Sequence, residues 1–208
     1  GGLGMLIARS RYLFIRNHRT RFADKTLAEL RGVIDEAGMS PFWDGIAGRF
    51  FGMNFQDADQ FNAARGNQFI ADLMPKHPIY TAMLSESARA VIGVPHPTGR
   101  AAMRMLENEG FNWERYVDIF DGGPTMTART DAIRTIAEAE DAPIIGLSND
   151  IGEHRGGEKV LAACGRLSDF RSTFGWIDRR EDGVLLDEES ADLLGVAEGD
   201  VITHIARW

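Results

Sequence analysis

Residues 90–129 read AVIGVPHPTGRAAMRMLENEGFNWERYVDIFDGGPTMTAR, and the order of signals inside this stretch sets the fold class. His96 stands between Pro95 and Pro97, and the apolar-periodic segment after it predicts a helix from Thr98 to Glu109 closed by Gly110. Beyond it Trp113, Arg115, Val117 and Ile119 alternate with Glu114, Tyr116, Asp118 and Phe120. That alternation predicts a strand running into a turn at Asp121-Gly122-Gly123. Loop, helix, strand and turn in direct succession require a mixed α+β architecture.

Working outward, GGLGMLIARSRYLFIR (1–16) reads as a glycine-rich turn entering a helix, with Leu3, Leu6, Ile7, Leu13 and Phe14 near helical spacing. KTLAELRGVID (25–35) alternates like a strand, and helix competes because Ala, Glu and Leu favour helices. In SPFWDGIAGRFFGM (40–53), Ser40 is placed as an N-cap and Pro41 at the first helical position, with Trp43, Ile46, Ala47 and Phe50 on one face. Residues 56–90 read as short helical pieces, HPIYTAML among them, interrupted by Pro75 and Pro78, with Ser85 capping the last. The stretches at 29–51 and 88–111 faintly echo each other, each passing from an apolar segment through a loop to Pro, a helix, Gly and Phe.

Polar, glycine-rich residues 137–157 read as a linker. After it EKVLAACGRL, FRSTFGWIDRR, GVLLD and DVITHIARW predict short strands, with one helical turn around EESADLLGV, and so a small β-barrel-like module. The division expected is therefore 1–136, a linker over 137–157, and a β module over 158–208.

The 208 residues are 44% apolar and 26% charged, enough for one good core, and the net charge of -8 argues against a nucleic-acid surface or an electrostatic membrane anchor. One cysteine, Cys164, excludes an intrachain disulfide and a cysteine metal cluster and suits a reducing compartment, so the cytoplasm is expected. Neither an apolar run of about 18 residues nor a leader is readable. His18, His77, His154 and His204 form no H-x-x-x-H pair, so no metal site is expected. Cys164 has no motif for nucleophilic use and is assigned to packing.

ELRGVIDEAGMSPFWDGIAGRFFGMNF, QFIADLMPKHPIYTAML, AVIGVPHPTGRAAMRMLENEGF and YVDIFDGGPT resemble, in order, the diagnostic blocks of the arginine N-succinyltransferase family. The likeness is close over 1–136 and weaker through the C-terminal module. It implies a GNAT-like acyl-CoA N-acyltransferase fold, a mixed sheet with flanking helices, and transfer of succinyl from succinyl-CoA to the α-amino group of L-arginine, or of ornithine. It implies no prosthetic group, and assembly as a homo- or hetero-oligomer.

In enzymes of that fold an R-x-x-G-x-G turn at a helix N-terminus holds the CoA pyrophosphate, because free N–H groups and the helix dipole favour an anion. Gly2 and Gly4 match its two glycines, which places the arginine, and the first strands of the sheet, ahead of residue 1. A truncated, catalytically silent subunit is accordingly the rival expectation. The family's proton donor matches His96, with Val94-Pro95 where the family pattern has Gln-Val. The substrate guanidinium would take carboxylates, for which Asp35, Glu36, Asp118 and Asp121 are candidates. Arg31, Arg49 and Lys76 are candidates for the succinyl carboxylate, and nothing in the sequence ranks either set.

Overall fold

A computed structural model describes residues 2–207. Along the chain it forms α1 (Leu3–Asn17), β1 (Lys25–Glu29), α2 (Pro41–Gly45), α3 (Gly48–Phe51), α4 (Phe55–Arg65), α5 (Gln68–Leu73), α6 (Glu86–Ala90), α7 (Arg100–Asn108), β2 (Asn112–Val117) and β3 (Pro124–Arg129). There follow α8 (Arg134–Glu138), β4 (Glu140–Leu147), β5 (Glu158–Cys164), β6 (Arg171–Arg180), β7 (Gly183–Leu186), α9 (Glu188–Leu194) and β8 (Val201–Ala206). Two compact units result: Lys25–Ala128 is one, and the residues up to Asp24 join those from Arg129 onward in the other. The helix at the start of the chain thus packs with the C-terminal strands rather than with the segment that follows it.

In the Lys25–Ala128 unit a three-stranded sheet runs in the order β1-β3-β2. β2 and β3 pair antiparallel, Asn112 opposite Thr127 and Val117 opposite Pro124, with a bulge between them where Arg115 has φ 67°. Ser40 caps α2 by accepting the Trp43 N–H at 3.1 Å, as its sequence position predicts. The single helix read over this segment is broken at Ile46, so Phe50 turns outward, 47% exposed, and Phe51 takes the core place. Fully buried Trp43 is stacked on Phe51 at 5.4 Å and on Phe120 at 5.3 Å, and its indole N–H donates to the Met53 carbonyl at 2.9 Å. Within HPIYTAML, read as helical, the structure forms one 3₁₀ turn, at Thr81–Met83.

The two echoing stretches meet in this unit. Gly32 pairs with Pro95 in an isolated bridge, His96 N–H donates to the Arg31 carbonyl at 2.8 Å, and Gly93 N–H to the Gly122 carbonyl at 2.8 Å. Buried Asp121 fastens the arrangement: Oδ2 accepts the Gly32 N–H and Oδ1 the Gly123 N–H, each at 2.8 Å.

The other unit is built on a closed barrel, β4-β7-β6-β5-β8. The linker read over 137–157 is corrected here, since residues 140–147 are strand β4, parallel to β7 and antiparallel to β8. The charged start Glu140-Asp141 and the polar residues after Leu147 hid the strand, in which inward Ile144 closes the barrel against Ile202 and Val184. Inside lie Ile144, Val160, Ala162, Ile177, Leu186 and Ile202, with Ala191 and Leu194 of α9 closing one side. Residues between them face the other way, so Leu161, Ala163 and Ile205 are buried against Leu13 and Leu6 of α1. A strand covered on both faces reads as the unbroken apolar run VLAA. The helical turn read at 188–196 is a full α9, capped by the Asp187 carboxylate on Ser190 N–H at 2.9 Å.

His204 of β8 shares the inward parity of Ile202; it is 1% exposed and neither ring nitrogen has a hydrogen-bond partner. Burial, followed by the charge of Arg179, lowers its pKa below the ordinary value, while Glu140, Glu158 and Asp141 oppose the shift.

Two outcomes are expected. Asp121→Ala strands two buried N–H groups and lowers unfolding free energy by about 2–4 kcal/mol in urea titrations. For His204, a lowered native pKa means that the unfolded chain binds the proton first. Its stability contribution is therefore whole above an unfolded-state pKa of about 6.5 and falls as pH drops below it. His204→Leu should flatten that acid slope and raise stability at pH 7 by about 1 kcal/mol, read by unfolding between about pH 5 and pH 8.

Candidate functional site

His96 sits where the chain leaves the Gly32–Pro95 bridge and enters a 3₁₀ turn, Pro97–Gly99, that leads into α7. Its backbone is held at both ends, the N–H by Arg31 and the carbonyl by the Gly99 N–H at 2.7 Å. The half-buried ring is held too: Nδ1 lies 2.7 Å from the Thr98 hydroxyl and 3.3 Å from the Thr98 backbone nitrogen. A threonine hydroxyl can donate or accept, so it stays paired with Nδ1 in either protonation state of the ring. Nε2 is left as the nitrogen able to face a reactant. Thr98 was not singled out in the sequence, although a hydroxyl two residues past a histidine at a helix entry is the signal for such a turn.

Within the Lys25–Ala128 unit lies a cavity of ≈ 610 Å³, bordered by Arg31, whose carbonyl holds the His96 N–H; His96 itself does not line it. Arg31, Glu29 and Asp118 line it from the sheet end, Asp59 and Asn62 from α4, and Phe120 supplies apolar wall. Of the carboxylates proposed from sequence, Asp121 also lines it but spends both oxygens on backbone amides. Asp118 uses Oδ1 on the Phe120 N–H at 2.7 Å. Asp35 closes its own loop, Oδ1 accepting from Ala37 and Met39 N–H, and Glu36 is exposed. Among the cations, Arg31 reaches the cavity, whereas Arg49 and Lys76 are exposed and do not line it. Glu29, Asp59 and Asn62 escaped sequence reading because only the fold brings β1 and α4 to one cavity.

Gly2 and Gly4 belong to the barrel unit. Gly2 is the N-cap of α1, with φ 146°, and no side chain caps the helix there. The first turn carries no acidic residue, and Gly4 leaves open space where a Cβ would stand. A Cβ on Gly2 would lie 2.9 Å from the Arg207 guanidinium, which is itself over the Phe174 ring at 4.4 Å. A positive helix end with an arginine beside it is suited to an anion.

The other histidines have structural or exposed settings. His18 is 2% exposed, with Nδ1 2.8 Å from the Phe14 carbonyl and Nε2 accepting the Leu167 N–H at 3.1 Å; His77 and His154 are exposed. The Cys164 thiol lies 3.3 Å from the Leu194 carbonyl, and burial pushes its pKa up, away from thiolate chemistry. Among the described residues no group of three or more His, Cys, Asp or Glu could hold a metal ion, and no helix is long and apolar enough to cross a membrane.

A family model described as arginine N-succinyltransferase beta subunit matches residues 1–135, and one described as the C-terminal domain of that subunit matches 142–206. The arginine N-succinyltransferase of Yersinia enterocolitica is 40% identical over 205 residues, 99% of this chain and 59% of that protein. The arginine N-succinyltransferase subunit beta of Pseudomonas aeruginosa is 48% identical over 151 residues, 72% of this chain and 44% of that protein. The solved structure of arginine/ornithine succinyltransferase subunit AI from Pseudomonas aeruginosa is similar with a TM-score of 0.82 and 34% identity, over 99% of this chain and 58% of that one. The chain therefore spans less than two thirds of the length of these relatives.

The geometry at His96 makes Thr98 the ring's anchor. Thr98→Val keeps the backbone N–H on Nδ1 and removes the hydroxyl, so it is expected to enlarge the share of the Nε2–H tautomer, and Thr98→Ser to restore the parent pattern, read from the ¹⁵N shifts of the His96 ring.

Proposed function

The chain belongs to the arginine N-succinyltransferase beta subunit family, and from that premise we propose that it transfers succinyl from succinyl-CoA to the α-amino group of L-arginine. The observation that carries the reading is His96, fixed at its backbone and at Nδ1 with Nε2 left over, its N–H held by the carbonyl of Arg31, a residue that lines a polar cavity. The amine lone pair attacks the thioester carbon directly; a C–N bond forms, the C–S bond breaks, and the amine proton passes to solvent. The departing CoA thiolate takes a proton from Nε2 of the charged His96 ring, in which Nδ1–H donates to the Thr98 hydroxyl and no longer accepts the Thr98 N–H. An imidazole suits this because it gains and loses a proton near neutral pH.

The finer fold assignment, a GNAT-like sheet, goes with this reading, as does a pyrophosphate site at the backbone of Gly2 and Gly4. The uncapped N-terminus of α1 and the guanidinium of Arg207 support that site. Ornithine is the second acceptor to consider, because the similar Pseudomonas aeruginosa protein is described as an arginine/ornithine succinyltransferase subunit. Oligomeric assembly and a cytoplasmic location remain part of the proposal.

The test is free-thiol release from succinyl-CoA with and without each amino acid. Release that depends on arginine or ornithine is expected, and its absence from folded protein with both present would favour a silent subunit. His96→Ala should lower turnover by about 10²- to 10⁴-fold while CoA affinity, measured by calorimetry, stays nearly unchanged. Lost CoA affinity with unchanged turnover would contradict the assignment.

A further inference from the structure

The cavity bordered by Arg31 has polar walls without protein partners: Glu29, Arg31 and Asp59 are open to solvent and Asn62 is half-buried. Phe55, Asp59 and Asn62 follow one another at helical spacing, so a single face of α4 forms one wall. Ala58 on the neighbouring face is fully buried in the Trp43 core cluster instead. Glu29 and Arg31 form the opposing wall, at the end of β1 and just beyond it. Among the described residues the side chains of Glu29, Arg31, Asp59 and Asn62 make no hydrogen bond or ion pair. Elsewhere in the same unit Lys25 and Glu114 on the sheet surface do pair, at 2.5 Å.

The lining is therefore amphoteric, with free carboxylates, one free guanidinium and apolar surface from Ile34, Phe55 and Phe120 between them. A molecule that complements it has a cation at one end, an apolar stem and a carboxylate at the other. A volume of ≈ 610 Å³ lies within the usual range for a small-molecule pocket, about 300–1,000 Å³.

We propose that this cavity receives the acceptor amino acid, Asp59 and Glu29 taking its side-chain cation and Arg31 its α-carboxylate. The inference rests on the acyl-transfer reading and adds to it the residues that select the acceptor. The orientation proposed puts the α-carboxylate at Arg31, whose carbonyl holds the His96 N–H at 2.8 Å, and the α-amino group toward the histidine. A guanidinium presents its N–H donors in a plane that two carboxylates can bracket, which favours arginine over the shorter ammonium of ornithine.

The experiment is isothermal calorimetry on the 208-residue chain with L-arginine, agmatine, which lacks the carboxylate, and L-norvaline, which lacks the side-chain cation. Thiol release is followed in parallel, and melting temperatures identify any variant that has failed to fold. Asp59→Asn and Glu29→Gln should each weaken arginine and agmatine by about tenfold and leave norvaline unchanged. Arg31→Gln should weaken arginine and norvaline by a similar factor and leave agmatine unchanged. No arginine binding at millimolar concentration, or binding that folded variants leave untouched, overturns the pocket. Arginine-dependent thiol release unaffected by all three substitutions overturns the pocket and leaves the transfer reading standing. The expected binding pattern without thiol release supports the pocket and overturns the transfer reading.

Discussion

The Asp121 carboxylate is the contact on which the Lys25–Ala128 unit turns. Its two oxygens collect backbone N–H groups from residues 32 and 123, which are far apart in sequence and both glycine. Glycine is required at both, because a Cβ on Gly32 would stand 2.2 Å from the Asp121 carbonyl oxygen and one on Gly123 2.0 Å from that of Leu30. The loop that carries Arg31 is fastened by this junction. Arg31, next to the clasped glycine, presents its carbonyl to His96 and its side chain to the cavity, so one short loop serves both the histidine and the polar wall.

The barrel unit answers a different constraint. A closed sheet has no free edge, so β4 must return to β8, and the residues that permit closure include a strand with charged residues at its start. Glu140 is held below the usual carboxylate range by the Arg179 guanidinium, which also binds Glu158. Beneath that surface network the apolar cluster fills the interior, and His204 is buried there with neither ring nitrogen paired. The unit tolerates an unpaired imidazole there because a neutral ring costs far less to bury than a charged one.

Much of this was legible as pattern. Ser40, Ser85 and Asp187 cap helices, and the first two were read correctly from the residues that follow them, because capping is a local property of three or four positions. The strand leading into the turn at Asp121-Gly122-Gly123 and the helix ending at Gly110 were readable for the same reason; the returning strand β3 was not read. Local reading failed where long-range partners decide. Strand β4 lay within an expected linker, and the helix expected through Ile46 is interrupted there. Glycine on both sides of Ile46 weakens the helix enough for the packing of Phe51 on Trp43 to prevail.

The candidate site divides along the same line. The sequence by itself determined the mixed α+β class, the helix entries, the family resemblance, and His96 as the residue to watch, because each depends on residue type and spacing within one stretch. Only the tertiary structure decided that Thr98 anchors the imidazole, that Asp121 is spent on backbone amides, and that Glu29, Arg31 and Asp59 share a cavity. A carboxylate's role depends on which donors the fold brings within hydrogen-bonding distance of it, and spacing along the chain carries no record of those partners.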